Sequence, residues 1–254
     1  MYFSACIPAV FGKFSIPEAL ERTKAADLKH YEFWGWNPSE IDAYLAAQRS
    51  CGLTPVSMCT TFHDLTDPTF REKYVAGIAE TIPVCKKLGC KNIISQVGPE
   101  LVHLTRQQQH DSIVAGLKAA APLVEDAGIT LVFEPLNTRI DHVGYYLWSL
   151  DEAFQIVEEV GSPNVKALID LYHHYVMDDL DIAKIVSNID KIGHFHMAGF
   201  PGRHEPLIES EVDYATVLGA IRKTGYAGAV GLEYFPIYPA AEGLKELVPQ
   251  LLTF

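Results

Sequence analysis

Short apolar runs alternate with longer stretches of helical period along the whole chain. Tyr2–Ile7, His30–Trp34, Leu53–Cys59, Lys91–Gln96, Thr130–Glu134, Val165–Asp170, Ile192–His196 and Ala229–Glu233 are predicted strands of five to seven residues. Between and after them the pattern predicts helices at Pro17–Ala26, Ser39–Ser50, Pro68–Leu88, Thr105–Ala127, Ser149–Val160, near Leu180–Asn188, Tyr214–Lys223 and Ala241–Leu252. Pro17 sits in a first turn with Ser15 as a capping candidate. Gly52, Gly89, Gly128 and Gly161 stand where four of the helices should stop.

That makes eight strand–helix units of about 32 residues in a chain of 254. Strands separated by helices pair in parallel through right-handed crossovers. The expected fold class is therefore α/β, a single (β/α)8 TIM barrel in which residues 1–254 form one domain. An open doubly wound sheet is the alternative. The chain lacks a Gly-x-Gly-x-x-Gly after its first strand and has no P-loop, which weakens the nucleotide-binding form of that alternative.

Composition narrows the function classes. Lys and Arg number 20 against 32 Asp and Glu, a net charge of −12, which argues against a nucleic-acid partner. The five cysteines are odd in number and contain no Cys-x-x-Cys, so a reducing cytoplasmic location is expected. No run of 18 apolar residues is present, and no membrane span is expected.

The later strands share a chemical pattern. Leu131-Val132-Phe133 ends at Glu134, Ala167-Leu168-Ile169 at Asp170, Ile192-Gly193-His194-Phe195 at His196 and Val230-Gly231-Leu232 at Glu233. The intervals are 36, 26 and 37 residues, about one unit each. In a barrel these ends lie side by side on the C-terminal face, where active sites are built. Three carboxylates in one apolar mouth repel one another, and a divalent cation is the simplest remedy. Three carboxylate oxygens with one imidazole suit Mn²⁺, Mg²⁺ or Co²⁺ better than a closed tetrahedral zinc site.

Several motifs carry a resemblance. They are Glu134-Pro135-Leu136-Asn137-Thr138, Asp141-His142, Gly144-Tyr145-Tyr146-Leu147, Asp170-x-Tyr172-His173, Gly193-His194-x-His196, Gly202-Arg203-x-Glu205-Pro206 and Gly231-x-Glu233-Tyr234. Together with Phe3-Ser4-Ala5 and Phe11-Gly12 they resemble the hydroxypyruvate-isomerase-like branch of the xylose-isomerase-like barrel superfamily, over essentially the whole chain. The resemblance implies that Glu134, Asp170, His196 and Glu233 bind one divalent metal, Mn²⁺ first, with Mg²⁺ or Co²⁺ as alternatives. It also implies that Glu134 and Glu233 flank the substrate and move its protons, and that His173 hydrogen-bonds a substrate oxygen. Hydroxypyruvate isomerases proper carry Gln at the third ligand position. This chain has His196 there, as ketose 3-epimerases and inosose-type isomerases do.

Other residues are candidates on their own chemistry. His142 lies eight residues past Glu134 and titrates near neutrality, so it is a candidate general acid or base. Arg203 is expected to meet a substrate carboxylate or hydroxyl, or to pair with Glu205. His63 is a weaker rim candidate. Trp34, Trp36, Phe11 and Phe62 fall near early loops, to stack on a sugar or aglycone or to pack the barrel top.

The expected activity is proton abstraction next to the carbonyl of a keto-sugar, giving aldose–ketose isomerisation or epimerisation through a metal-stabilised enediolate. The alternative rests on the catalytic subunits of C-glycoside deglycosidases, which look like the same branch. They cleave the carbon–carbon glycosidic bond of a 3-oxo-glycoside together with a small partner subunit. The expected partners are thus a sugar or glycoside, and either a second copy or a small second chain. A three-zinc endonuclease would need more ligands and a basic DNA face. A non-catalytic sugar-binding barrel would have no use for two glutamates on one metal.

Overall fold

The computed structural model describes residues 1–207 and 209–253. Eight strands close into a barrel in chain order: β1 (Tyr2–Cys6), β2 (His30–Phe33), β3 (Thr54–Cys59), β4 (Asn92–Ser95), β5 (Thr130–Phe133), β6 (Val165–Asp170), β7 (Ile192–Met197) and β8 (Ala229–Leu232). β1 pairs in parallel with β8, as every strand does with its neighbours. The architecture is the (β/α)8 TIM barrel expected from the alternation.

The helices wrap the outside: α1 (Ile7–Phe11), α2 (Ile16–Ala25), α3 (Ile41–Cys51), α4 (Arg71–Leu88), α5 (Arg106–Ala127), α6 (Leu150–Val160), α7 (Leu171–Val176), α8 (Ile182–Ser187), α9 (Tyr214–Lys223) and α10 (Ala240–Leu251). Local chemistry sets their ends. The Glu18 carboxylate accepts from Ser15 N–H at 3.0 Å and from Ser15 Oγ at 2.6 Å, opening α2. α3, α4, α5 and α6 stop at Gly52, Gly89, Gly128 and Gly161, with φ between 66° and 79°, where a side chain would cost strain. On α5, Ile113, Leu117, Ala120 and Val124 follow the 3.6 period and are fully buried against the barrel.

Two helices depart from the sequence pattern. The helix expected near Leu180–Asn188 is α8, but before it comes α7, which the pattern did not show and which begins at once on leaving β6. Five of its six residues are buried, so it shows no polar face by which periodicity could find it. Asp170 starts it, its Oδ1 accepting from Tyr172 N–H at 2.9 Å. The five-residue α1, also mostly buried, was hidden in the same way.

The strand period of two decides the interior. Tyr31, Phe33, Ala167, Ile169 and Phe195 face outward into the main core under the helices. The alternate positions face the barrel axis. Cys59, Ile94, Val132 and Leu168 form a separate apolar cluster there. Across the axis lie Ser4, Glu32, Ser57 and His194, all fully or almost fully buried. Two residues further along each strand, the inward positions reach the C-terminal mouth.

Gly231 lets β8 pass this polar group. A Cβ at 231 would lie 1.9 Å from Glu32 Oε1 and 2.6 Å from His196 Cδ2. Gly231→Ala is expected to cost roughly 1–3 kcal/mol by overpacking, read as a lower midpoint in chemical denaturation. An unchanged midpoint would mean that this contact relaxes freely.

Candidate active site

Glu134 follows β5, Asp170 ends β6, His196 lies in β7 and Glu233 follows β8. Each sits two residues beyond an inward-facing position, so the pleat aims all four at the same mouth. One ligand-capable atom from each falls within 4.8 Å of the other three. His196 Nδ1 is 3.5 Å from Glu134 Oε1 and 3.4 Å from Glu233 Oε2. Asp170 spends Oδ1 on capping α7 and keeps Oδ2 for the cluster. Glu134 Oε1 and His196 Nδ1 are buried without a hydrogen-bond partner among the described residues.

Beneath the cluster, Glu32 holds His196 from behind. Its Oε2 lies 3.2 Å from His196 Nε2 and 2.7 Å from His194 Nε2, and also accepts from Ser57 Oγ; its Oε1 accepts from Ser4 Oγ at 3.0 Å. A carboxylate only accepts, so the His196 proton belongs on Nε2 and the Nδ1 lone pair faces the cluster. A carboxylate behind a histidine is the usual support for a ligating imidazole. Sequence reasoning missed Glu32. The signal was a lone acid between Tyr31 and Phe33 in an apolar strand, with the wrong parity for solvent.

The charges are strongly coupled. Burial pushes the Asp170 carboxyl up to about 7; Glu233 and Glu134 add to this, while Arg203 and His196 oppose it. Burial would also raise Glu233, but His196, Arg203 and the Trp34 indole N–H together hold it below the usual carboxylate range. Burial alone would lower His196, yet Glu233 and Glu32 carry it well above the ordinary imidazole value. The imidazole thus seeks a positive charge on the side facing the carboxylates, either a proton or a metal ion. Three oxygen donors and one bare imidazole nitrogen, two of these four atoms unpartnered among the described residues, fit a divalent cation.

Above the cluster is a cavity of about 770 Å³. Glu134 and Glu233 line it, as do His142, His173 and Arg203; Asp170 and His196 lie just beneath its floor. Trp34, Trp36, Phe62 and Phe235 form part of its walls. Trp34 does more than offer an aromatic face: its Nε1–H donates to Glu233 Oε1 at 2.6 Å. Gln96, at the end of β4, also lines the cavity and was not foreseen. Its only sequence signal was the same two-residue step past Ile94.

Arg203 is reached by a turn in which Gly199 N–H donates to the His204 carbonyl at 2.7 Å. Its backbone is left-handed, φ 53°, a conformation that costs an ordinary residue roughly 1–2 kcal/mol. In return its Nη2 lies 3.2 Å from Asp170 Oδ2 and 2.5 Å from Glu233 Oε2. It does not pair with Glu205, which is buried elsewhere, 3.3 Å from each of the Ile237 and Tyr238 backbone nitrogens that donate to it.

His142 is half-buried, its ring 5.3 Å from that of His173 and nearly perpendicular to it. Burial is the main reason that its pKa lies below the ordinary value. Other sequence candidates lie away from the site. Phe11 is buried in the core, so it packs and cannot stack on a ligand. His63 lies against Phe70, ring centroids 6.4 Å apart, and does not line this cavity. Two histidines that were not candidates are also held outside the cavity, His110 between Glu152 and Glu159 and His174 beside Asp179. All five cysteines are buried and unpaired. Among the described residues, no helix is long and apolar enough to cross a membrane.

Comparison with known proteins agrees with the fold. Residues 19–251 match the family described as xylose isomerase-like TIM barrel. Hydroxypyruvate isomerase of Escherichia coli K12 is 27% identical over 97% of this chain and 98% of its own. A putative hydroxypyruvate isomerase of Homo sapiens is 30% identical over 96% of this chain and 93% of its own. The crystal structure of an AP endonuclease, family 2, from Brucella melitensis superposes with a TM-score of 0.89 at 26% identity, covering 98% of this chain and 99% of that one.

A ligating set must lose its protons before it takes a metal. With Asp170 near 7 and His196 above its ordinary range, Mn²⁺ uptake is expected to release protons and to tighten as pH rises from 6 to 8. Titration calorimetry in two buffers of different ionisation enthalpy measures both effects. Binding without proton release would mean that these groups are not the ligands.

Proposed function

The chain belongs to the xylose isomerase-like TIM barrel family, and from that premise we propose that it is a divalent-metal-dependent isomerase or epimerase of keto-sugars. The observation that carries this reading is the pair Glu134 and Glu233. Both line one cavity and each comes within 3.5 Å of His196 Nδ1, while Asp170 and His196 do not line it. Two carboxylates facing one bound carbon chain are what a two-step proton transfer requires. Relatives named hydroxypyruvate isomerase support an isomerase chemistry. The four-residue set and the net charge of −12 speak against reading the name of the Brucella protein as this chain's activity.

Glu134, Asp170, His196 and Glu233 would hold the cation, which supplies Lewis-acid stabilisation of the negative charge that develops on an enediolate. One of the two glutamates takes the proton from the carbon next to the carbonyl and becomes the acid. Return of a proton to the neighbouring carbon, with the hydroxyl proton passing to the former carbonyl oxygen, gives isomerisation, and return to the opposite face of the same carbon gives epimerisation. Glu233 suits the base role: Trp34 fixes Oε1, and Arg203 and His196 keep the group ionised. Arg203 keeps the Asp170 and Glu233 oxygens in place. His173 offers a hydrogen bond from the wall.

A second reading is favoured by one observation. Trp34, Phe62 and Phe235 are 43%, 52% and 46% exposed around the cavity, an aromatic rim that a three-carbon substrate leaves uncovered. A 3-oxo-glycoside with an aromatic aglycone would cover it. Proton removal beside the ketone would then be followed by loss of the carbon-linked aglycone, with a small partner subunit present. His142, at the rim, is placed to exchange a proton with the aglycone.

Glu233→Gln preserves volume and removes a ligand charge and a base. Turnover is expected to fall at least ~10²–10⁴-fold with the melting temperature little changed. Near-native activity with metal bound would make Glu233 structural. His142→Ala separates the two readings: on simple ketoses the loss should stay under about tenfold, whereas on a 3-oxo-C-glycoside it should reach ~10²–10⁴-fold. Both variants are assayed on both substrates by turnover and by solvent-deuterium incorporation. A large loss on ketoses contradicts the rim role.

A further inference from the structure

Asn137 is fully buried and does not line the cavity, yet all its polar atoms are engaged. Its Oδ1 accepts from Ile140 N–H and from Asp141 N–H, both at 3.0 Å. Its Nδ2 lies 2.5 Å from Asp141 Oδ2 and 2.6 Å from His173 Nδ1. A backbone N–H can only donate and a carboxylate can only accept. Turning the amide over would set its NH₂ against two donors and its oxygen against the carboxylate. The orientation is therefore decided by chemistry, without reference to the histidine.

The histidine follows from it. One amide hydrogen goes to Asp141 and the second points at His173 Nδ1, which must accept. A neutral His173 then carries its proton on Nε2. With Nδ1 accepting from the amide at 2.6 Å, the ring has no place for a second proton and is neutral. Nε2 is itself buried, has no hydrogen-bond partner among the described residues and lies 3.5 Å from Asp170 Oδ2, and His173 lines the cavity.

We propose that Asn137 is a positioning residue that locks His173 in the Nε2–H tautomer, so that the ring presents a donor to a substrate oxygen held beside Asp170. The assignment of a substrate oxygen rests on the function proposed above; the tautomer does not. The Asn137 carbonyl also accepts from His142 N–H at 3.1 Å, so the same residue shapes the turn that brings His142 to the rim.

Asn137→Asp keeps the acceptor for the two backbone N–H groups and replaces the donor facing His173 with an acceptor. The ring must then move its proton to Nδ1 or gain a second one. Asn137→Asp combined with Asp141→Asn removes the new carboxylate–carboxylate contact, so that misfolding cannot be mistaken for a tautomer effect. The readout is ¹⁵N NMR of the imidazole nitrogens in histidine-labelled full-length protein with Mg²⁺ present, the His173 signals being assigned by their loss in His173→Gln. The wild type is expected to show a protonated Nε2 and a bare Nδ1, and both aspartate variants a protonated Nδ1. On any ketose that the wild type turns over, kcat/KM is expected to fall roughly 10²-fold in both variants, the usual effect of losing one preorganised donor. A wild-type ring protonated on Nδ1, or a tautomer unchanged in the folded double variant, overturns the proposal. A correct tautomer in a protein without isomerase activity would instead count against the proposed function alone.

Discussion

Three carboxylates and an imidazole within 4.8 Å of one another, nearly out of contact with water, are the constraint around which this barrel mouth is arranged. Two like charges about 4 Å apart repel by roughly 4 kcal/mol at an effective dielectric constant of about 20. Burial makes the cost felt, because little solvent reaches the group to screen it. The protein answers with Arg203, which adopts a left-handed backbone to reach two of the carboxylates, and with His196, whose affinity for a positive charge is raised by its neighbours. A divalent cation satisfies the same demand more fully, and it brings the Lewis acidity that proton abstraction next to a carbonyl needs.

The support is built in depth. Each strand contributes one inward residue below and one at the mouth, so the lower residue can orient the upper one. Glu32 takes the outer protons of His194 and His196, and Ser4 and Ser57 fill its remaining acceptor sites. Asp170 divides its two oxygens between capping a helix and facing the cluster, which ties the position of a candidate ligand to the start of α7. Trp34 and Asn137 act sideways in the same manner, one on Glu233 and one on His173. Such division of labour lets the cavity be wide and aromatic at its rim while its floor stays rigid.

The barrel was legible because eight apolar runs and their helices repeat at one spacing, and because glycines mark four helix ends. The four clustered side chains were legible for the same reason: each stands at or just past the C-terminal end of a strand, and strand ends share a face. What could not be read depended on burial without periodicity. α7 is buried almost all round, so its sequence looks like a loop between a strand and a later amphipathic segment. Glu32 could have been found by its parity, but its partners Ser4 and Ser57 look like ordinary strand residues until the barrel brings them together. Arg203 was equally consistent with pairing to Glu205; only the fold of the loop from 199 to 204 separates the two. Asn137 lay in a quoted motif, but its meaning rests on a turn of three residues and on a histidine 36 positions away.

The claim on which the rest depends is that the mouth of this barrel holds one divalent cation among Glu134, Asp170, His196 and Glu233. Anomalous diffraction from crystals grown with Mn²⁺, collected on both sides of the manganese edge, tests it directly. A single strong peak is expected about 2.0–2.6 Å from a carboxylate oxygen of each acid and from Nδ1 of His196. A peak between Glu32 and His194, or none within about 4 Å of the four residues in fully loaded crystals, would contradict it.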